Sequence, residues 1–448
     1  MRRWLRCAMA LGLLGLLLAF SHLALAASPR QEPQIFHIVS PGDTLFVLAK
    51  RYGTSVAAIV AANGLSDPDL IEVGEILCIP SSDGTGEERG TWLTHVVQPG
   101  ETVSRLALRY GTSVAAIARA NRLADPSWIR SGQRLLIPAP APRVPALELG
   151  PITELRVWPP APLQGQTLTI HLGASRPLTL TGSFDGRELH WVAEKAERGG
   201  LWRYWALAGV YALAEPGTHP LIVKALEAGG GEWTLQIFVV VRAGDFGVER
   251  ILLPPTASKL LAPQLLRRER ERLAVIWDQS AAQPMWSGRF VAPVRPFWPI
   301  TSHFGERRTY NGGPVSGFHT GVDYGASEGA LVLAPAAGRV VLAEPLTVRG
   351  NAVILDHGAG VHTGYWHLGQ IFVKEGDEVA QGDPLGRVGN TGLSTGAHLH
   401  WEMRVGTVAV DPLQWIGQTM PPIKKMSRWA ASSPPPNETP SLPGNSGS

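Results

Sequence analysis

One pattern of apolar and polar positions occurs twice near the start of the chain. Residues 37–80 align without gaps on residues 95–138, and 26 of the 44 aligned positions are identical. Each copy begins with a β-prone run, continues with two stretches of apolar residues at helical spacing, and closes with a second β-prone run. Glycine follows the first helical stretch and asparagine ends the second, as is common at helix termini. The pattern therefore predicts two small α+β units with the order strand–helix–helix–strand (βααβ).

Residues 151–245 show a different pattern, in which short apolar runs alternate with turn residues. The pair Asp185-Gly186 is a strong hairpin signal. A series of short strands at close spacing is typical of a β-sandwich, and we predict an immunoglobulin-like sandwich that serves as a spacer. The predicted strands are 153–158, 167–172, 178–184, 189–192, 202–207, 219–226 and 232–241.

The remaining segments connect or extend these units. Residues 81–94 are rich in Ser, Gly and Glu, and residues 139–151 in Ala and Pro, so both are predicted to be linkers. Residues 256–283 contain a run of alternating charges, which predicts a helical connector with a solvated face. Residues 284–417 contain many β-prone runs and glycines, whereas the Pro-, Ser- and Gly-rich residues 418–448 predict a disordered tail.

The first 26 residues have the three parts of a signal peptide. Three arginines precede an apolar stretch at residues 8–20, and Ala24-Leu25-Ala26 fits a cleavage site. The apolar stretch is short for a stable membrane span, and no later stretch is long and apolar enough to cross a bilayer. The mature protein is therefore predicted to be exported, to lie outside the cytoplasm or on the cell wall, and to lack a transmembrane segment.

The charge and the cysteine content argue against a nucleic-acid binder and against a disulfide-stabilised protein. The chain has 40 Lys and Arg against 37 Asp and Glu, and without residues 1–26 both counts are 37. A nucleic-acid binder needs a basic patch to neutralise phosphates, so we expect no nucleic-acid partner. Outside the leader the chain has one cysteine, Cys78, which excludes a disulfide within the mature chain. We expect Cys78 to be a buried apolar residue.

The two repeats resemble LysM modules along their full length. The shared motifs are PGDT and PGET, YGTSVAAI, the asparagine near the end of the second helix, Asp-Pro, and a terminal L-x-I-P. The resemblance implies binding to glycans that contain N-acetylglucosamine, such as peptidoglycan or chitin, in a groove between two loops. The first of these loops contains residues 42–44 in one copy and 100–102 in the other. The alternative role for these residues is to cap the helix that follows. The candidate carbohydrate-binding residues are Gly42, Asp43, Thr44 and Ile71 in the first copy, and Gly100, Glu101, Thr102 and Ile129 in the second.

Histidines are concentrated towards the end of the chain, with seven between residues 301 and 401. In the motif HTGVD, an extended backbone places His319 and Asp323 on one face, and Gly321 leaves space between them. In the motif HLHWE, the side chains at 398, 400 and 402 share a face. A nitrogen and an oxygen ligand that converge on one point suit zinc. The motif YWHL adds a further histidine on a β-prone segment.

These motifs resemble the lysostaphin/LytM-type zinc metallopeptidases, a family of peptidoglycan endopeptidases. The resemblance extends from about Val291 to Trp415 and includes SHFG, HTGVD, LDHG, YWHL, GNTG and HLHWE. It implies a mostly antiparallel β domain that carries one zinc ion (Zn2+). By the same resemblance, the zinc ligands are His319, Asp323 and His400, with water or substrate at the fourth position.

The resemblance also assigns the remaining site residues. His367 and His398 correspond to the catalytic histidines that do not bind zinc, and Tyr310 matches a tyrosine that stabilises the transition state in some family members. The expected function is an exported zinc-dependent endopeptidase that hydrolyses peptide bonds in peptidoglycan stem peptides or cross-links. The expected partner is peptidoglycan, bound through both its glycan and its peptide.

Three alternatives remain open. A wall-binding protein without activity could use the LysM modules to activate another murein hydrolase, although all five matching zinc and histidine positions are filled here. A glycosidase would need a carboxylate pair that the sequence does not show. The segment Gly392–Gly396 fits the G-x-S-x-G pattern of serine hydrolases, but it precedes a predicted strand rather than a helix.

The role of Glu402 is also open. It is either a partner of a ligand histidine or a charge at a strand end.

Overall fold

The computed structural model describes residues 34–65, 67, 70–80, 92–110, 112–123, 125–138, 149–194, 200–421 and 429–430. The predicted signal peptide and most of the predicted tail lie outside these residues. Within them, no single helix has the length and apolar character to cross a membrane. The helices Leu45–Tyr52 and Val56–Asn63 pass that test only as a pair, and they meet at a bend of 106°.

Both repeats form the predicted strand–helix–helix–strand unit. In each unit, a threonine caps the first helix and a serine caps the second. In the first unit, Ser55 Oγ accepts a hydrogen bond from the amide of Ala58. Gly53 ends the first helix of the first unit with φ of 67°, a conformation that glycine adopts at little cost. The first unit consists of β1 (Gln34–Ile38), α1 (Leu45–Tyr52), α2 (Val56–Asn63) and β2 (Ile76–Ile79), and the second of β3 (Trp92–Val96), α3 (Val103–Arg109), α4 (Val114–Asn121) and β4 (Arg134–Pro138).

The middle region consists of two sheets that share one apolar core. Most strands agree with the prediction, but the strand predicted at 189–192 is wrong for residues 189–191, which lie between β8 and β9, and only Val192 belongs to a strand. Leu155 and Ile170 from one sheet and Val223 and Ile237 from the other lie in the same buried cluster. The strands are β5 (Ile152–Trp158), β6 (Thr167–Ala174), β7 (Thr179–Phe184), β8 (Arg187–Glu188), β9 (Val192–Glu194), β10 (Trp202–Gly209), β11 (Gly217–Leu226) and β12 (Glu232–Val241).

The first repeat is joined to this middle region by backbone pairing. Strand β1 pairs in parallel with β12, so that one sheet has the order β2-β1-β12-β11-β7-β8. The other sheet has the order β26-β5-β6-β10-β9, where β26 is Trp429–Ala430. Phe36, Ile38 and Cys78 of the first repeat lie in the core of the middle region. Strands β3 and β4 of the second repeat form a separate two-stranded sheet.

A short strand and a helix connect the middle region to the C-terminal domain. Strand β13 (Val248–Ile251) pairs in parallel with Arg307–Tyr310 of that domain. It is followed by the short helix α5 (Pro255–Ser258), a 3₁₀ turn and helix α6 (Pro263–Trp277). Helix α6 buries Leu273 and Trp277 against the domain's sheet. The connecting segment is therefore packed into the C-terminal domain along much of its length.

The C-terminal domain is mostly antiparallel β structure. Its large sheet has the central order β14-β17-β24-β21-β20-β19-β22, and a shorter sheet has the order β13-β15-β16. The apolar core includes Val322, Tyr365, Leu399 and Trp401. The elements are β14 (Ile300–Ser302), β15 (Arg307–Tyr310), β16 (Val315–Phe318), β17 (Gly321–Tyr324), β18 (Leu331–Leu333), β19 (Gly338–Leu346), β20 (Gly350–Gly358), β21 (Val361–Ile371), β22 (Glu378–Val379), β23 (Pro384–Val388), β24 (Leu399–Val405), β25 (Val408–Val410) and α7 (Pro412–Gly417).

Candidate active site

Two neighbouring strands bring the HTGVD and HLHWE motifs together. Strands β17 and β24 are antiparallel, and their register places Asp323 opposite His400. Gly321 lies opposite Glu402, and a Cβ atom at Gly321 would lie 2.2 Å from the Trp401 carbonyl oxygen and 2.9 Å from His400 Nε2. Glycine is therefore required at this position because a neighbouring strand and a site histidine occupy the space beside it.

The three predicted metal ligands converge on one point. His319 Nε2 and His400 Nδ1 lie 3.0 and 2.9 Å from Asp323 Oδ1, and the two nitrogens are 2.9 Å apart. All three side chains are buried. Asp323 Oδ1 has no hydrogen-bond partner within the described residues, although it is buried. A buried carboxylate oxygen that faces two imidazole nitrogens fits a small cation held by two nitrogens and one oxygen, as in catalytic zinc sites.

Polar groups behind the ligands fix their orientation. His319 Nδ1 donates to the His303 carbonyl oxygen at 3.0 Å, which leaves Nε2 free to bind a metal. Arg308 Nη2 donates to Asp323 Oδ2 at 2.9 Å, which leaves Oδ1 towards the two histidines. Burial opposes ionisation of Asp323, but the facing His400 and His319 rings hold the pKa of this carboxyl well below its usual value.

His367 and His398 lie beside the three ligands, with their rings 4.9 Å apart. His367 Nδ1 donates to the Thr391 carbonyl oxygen at 2.7 Å, and His398 Nδ1 to that of Gly396 at 2.8 Å. In both rings the Nδ1 atom is the donor to a backbone carbonyl, so Nε2 is the nitrogen that remains for other partners. Burial and the neighbouring His398 lower the pKa of His367 to about 3, so this ring is neutral at ordinary pH.

A cleft of about 290 Å³ lies over these residues. Tyr310 lines it together with Asp323, His367, His398 and His400. Burial raises the pKa of Tyr310, so its hydroxyl keeps its proton at neutral pH and is able to donate a hydrogen bond. Five of the six predicted zinc-site and catalytic residues thus line one cleft, and the sixth, His319, is buried next to its two fellow ligands.

Glu402 is a fully buried carboxylate rather than an exposed charge at a strand end. Its oxygens accept hydrogen bonds from Arg404 Nε at 2.7 Å, Thr320 Oγ1 at 3.1 Å and Trp366 Nε1 at 3.2 Å. Its Oε2 lies 3.9 Å from His400 Nε2, which is too long for a hydrogen bond. Burial opposes ionisation, but Arg404 and other nearby cations lower the pKa of Glu402 to about 2. Its contact with the ligand histidine is therefore electrostatic.

The serine of the G-x-S-x-G segment has a structural role. Ser394 Oγ donates to the Gly396 carbonyl oxygen at 2.8 Å. The segment is followed by strand β24, whereas a nucleophilic serine in this motif requires a following helix. Ser394 therefore lacks the local structure of a hydrolase nucleophile.

Sequence reasoning missed two charged residues near the metal site. Arg308 contacts Asp323, as described above, and Glu249 Oε2 accepts from Arg308 Nε at 2.8 Å. Neither residue belongs to a recognisable motif, and Glu249 lies outside the predicted catalytic region. Only the pairing of β13 with β15 brings the two side chains together.

The predicted sugar-binding side chains make contacts within their own units. Asp43 Oδ2 accepts from the Ser40 amide at 2.9 Å and lies 2.8 Å from His37 Nε2; Glu101 has the equivalent contacts. Thr44 and Thr102 cap helices. Gly42 and Gly100 have φ of 90° and 81° in the tight turns before those helices. The partly buried Ile71 and Ile129 pack against the cores of their units.

Comparison with known proteins assigns both regions to families. Residues 317–412 match peptidase family M23, and residues 37–80 and 95–138 match the LysM domain. The chain therefore contains two LysM domains and a C-terminal M23 peptidase domain, whose His319, Asp323 and His400 site is intact. The resemblances drawn from the sequence are confirmed.

Individual relatives resemble the peptidase domain. The chain is 38% identical over 113 residues to peptidoglycan DD-endopeptidase ShyA of Vibrio cholerae, covering 25% of this chain and 26% of that protein. It is 43% identical over 95 residues to DD-carboxypeptidase/endopeptidase Mpg of Neisseria meningitidis, covering 21% and 22%. The matched segment thus spans about a quarter of the length of these relatives.

A solved structure is also similar. A putative peptidase M23 from Pseudomonas aeruginosa is 27% identical, with a TM-score of 0.43, and the match covers 58% of this chain and 96% of that chain.

Proposed function

We propose that this protein is an exported zinc-dependent endopeptidase that cleaves peptide cross-links of peptidoglycan. The observation that carries the proposal is the convergence of His319 Nε2, Asp323 Oδ1 and His400 Nδ1 within 3.0 Å of one another, beside two histidines whose Nδ1 atoms each donate to a backbone carbonyl. The DD-endopeptidase names of the relatives support a cross-link as the substrate.

The site residues divide the chemistry between them. His319, Asp323 and His400 would hold a zinc ion, which would supply Lewis-acid chemistry in the cleft. His367 is neutral, with Nε2 directed away from its carbonyl partner, and is suited to take a proton from a water molecule in the cleft. His398 is oriented in the same way and is suited to stabilise the oxyanion or to protonate the leaving amine. The Tyr310 hydroxyl can donate a hydrogen bond in the same cleft.

The LysM domains provide the means of attachment to the wall. Their match to the LysM family supports binding to the glycan of peptidoglycan, and two sites on one chain raise the avidity. A substrate in the cell wall requires export, in agreement with the signal-like residues 1–26. The candidate sugar-binding residues are Gly42, Asp43, Thr44 and Ile71 in the first domain, and Gly100, Glu101, Thr102 and Ile129 in the second.

Mass spectrometry of purified peptidoglycan after digestion by the mature protein tests this proposal. We expect new free amines and shortened cross-linked peptides, which disappear when a zinc chelator is present. New reducing sugar ends would instead indicate a glycosidase. An intact wall with bound protein, at saturating zinc, would indicate a wall-binding protein that activates another hydrolase.

A further inference from the structure

We propose that Glu249, in the strand that follows the middle region, is a positioning residue for the metal centre. It contacts Arg308, and Arg308 contacts the metal ligand Asp323. The inference rests on the zinc site of the proposed function but concerns a residue outside the matched peptidase segment at 317–412. Glu249 thus extends the metal site beyond the residues that match family M23.

The Arg308 guanidinium lies between two carboxylates. Its Nε donates to Glu249 Oε2 at 2.8 Å, and its Nη2 donates to Asp323 Oδ2 at 2.9 Å. Arg308 is mostly buried, with 17% of its side chain exposed. A guanidinium held at both Nε and Nη2 has a fixed plane, because its donors form a rigid fork. The Asp323 carboxylate is thereby held with Oδ1 towards the two histidines.

A second contact connects Glu249 to another ligand. Ser302 Oγ lies 3.1 Å from Glu249 Oε2 and 2.9 Å from His319 Nδ1. Ser302 is buried, with 3% of its surface exposed. One carboxylate oxygen of Glu249 thus contacts the immediate polar neighbours of both Asp323 and His319.

The charge of Glu249 has a specific consequence for a cation. Arg308 places a positive charge next to the Asp323 carboxylate. That charge repels a metal cation bound by the same carboxylate, because both are positive. Glu249 compensates that charge on the far side of the guanidinium. Partners of this kind behind metal ligands typically change metal affinity or activity by about 10–100-fold when they are removed.

The position of Glu249 depends on the backbone pairing of β13. Glu249 lies opposite Arg308 in the parallel register of β13 and β15. The segment also contributes Ile251 and Leu253 to the wall of the cleft. The middle region and the peptidase domain are therefore coupled through a strand that ends at the active site.

The test compares three variants of the full mature protein, namely Glu249→Ala, Glu249→Gln and the control Glu271→Gln. Glu271 is an exposed residue of helix α6. The zinc dissociation constant is measured by competition with a chromophoric chelator, and kcat and KM on peptidoglycan fragments are measured at low and at saturating zinc. We expect Glu249→Ala to weaken zinc binding about 10–100-fold. Glu249→Gln keeps an acceptor for Arg308 but removes the charge, and we expect a smaller loss.

Saturating zinc should restore most of the kcat of the Glu249 variants and leave KM unchanged, which a purely structural defect would not do. Zinc binding by both variants as tight as in wild type and Glu271→Gln would overturn the inference while leaving the proposed function intact. A wild-type protein without zinc affinity would overturn both. If Glu249→Ala does not fold by circular dichroism, the isosteric Glu249→Gln variant decides the question.

Discussion

His367 adopts a backbone conformation that is uncommon for residues other than glycine, with φ of 65°. Its backbone amide donates to the Arg349 carbonyl oxygen at 2.9 Å, and its ring donates to that of Thr391. Conformations of this kind cost about 1–3 kcal/mol and persist where surrounding contacts fix them. Here the contacts on both sides of the residue direct Nε2 towards the cleft.

At the same scale, His400 is expected to be indispensable for the metal. In His400→Ala, two ligand atoms remain, and these are too few for a catalytic zinc site. We expect the variant to lose both bound zinc and peptidoglycan cleavage. Metal content by mass spectrometry and the release of peptide fragments measure the two effects. Zinc retention at one ion per chain in this variant would contradict the ligand assignment.

His398→Ala should separate metal binding from turnover. His398 Nε2 lies 3.9 Å from Asp323 Oδ1, and the ring is not one of the three convergent ligands. We expect full zinc occupancy and a loss of about 10²–10⁴-fold in kcat, the usual contribution of a positioned acid or base. Unchanged kcat would remove His398 from the mechanism.

At the scale of elements, helix α6 differs from the solvated connector that its alternating charges predict. Glu269 is buried, and its carboxylate accepts from the backbone amides of Val348 and Arg349 at 2.8 and 3.1 Å. The Arg349 guanidinium also donates to it at 2.9 Å. The remaining charges of the run Arg267–Arg272 are largely exposed, as predicted. One buried acid therefore anchors the helix to the turn before strand β20, next to the cleft.

The second LysM domain should lose stability in acid through Glu101. Hydrogen bonds from the Gln98 amide and from His95 lower the pKa of Glu101 to about 2, from an ordinary value of 4.5. A lowered pKa in the folded state stabilises the fold above about pH 4.5, and this contribution is lost as the pH falls through about 2. In Glu101→Gln, amide hydrogen exchange of α3 and α4 should be faster than in wild type at pH 6.

The difference in exchange rate between wild type and Glu101→Gln should narrow as the pH falls towards 2, where about half of Glu101 is protonated in wild type. Glu271→Gln, on an exposed face of helix α6, is the control and should leave exchange in this domain unchanged. Equal protection of wild type and Glu101→Gln at pH 6 would show that these hydrogen bonds do not stabilise the domain.

At the scale of the whole molecule, the two LysM domains differ in what they pack against, despite their similar sequences. The face of the first domain that packs on the middle region carries buried Phe36, Ile38 and Cys78. Burial raises the pKa of the Cys78 thiol to about 12, as expected of an inert apolar residue. The equivalent positions of the second domain are Thr94, Val96 and Leu136, all exposed. The first domain is thus part of a sheet of the middle region, and the second has its own sheet.

Truncating Phe36 should therefore affect more than the first LysM domain. Phe36 lies opposite Ile237 of β12 and is fully buried. We expect Phe36→Ala to lower the free energy of unfolding by about 3–5 kcal/mol, the usual cost for a buried phenylalanine. The matched control is Thr94→Ala, for which we expect a change within about 0.5 kcal/mol. Urea unfolding followed by tryptophan fluorescence measures both, and equal values would contradict the docking of β1 on β12.

The sequence by itself determined the features that depend on local patterns. Helices and strands follow from side-chain periodicity over a few residues, and the spacing of the HTGVD motif places His319 and Asp323 on one face. The choice of His400 as the third ligand came from the resemblance to the peptidase family. Only the tertiary structure decided which distant segments meet. Glu249 and Arg308 are 59 positions apart, and Phe36 pairs with a strand about 200 positions later in the chain. Such contacts depend on strand pairing and on the burial of whole faces, because each side chain alone has no period or motif that specifies its partner.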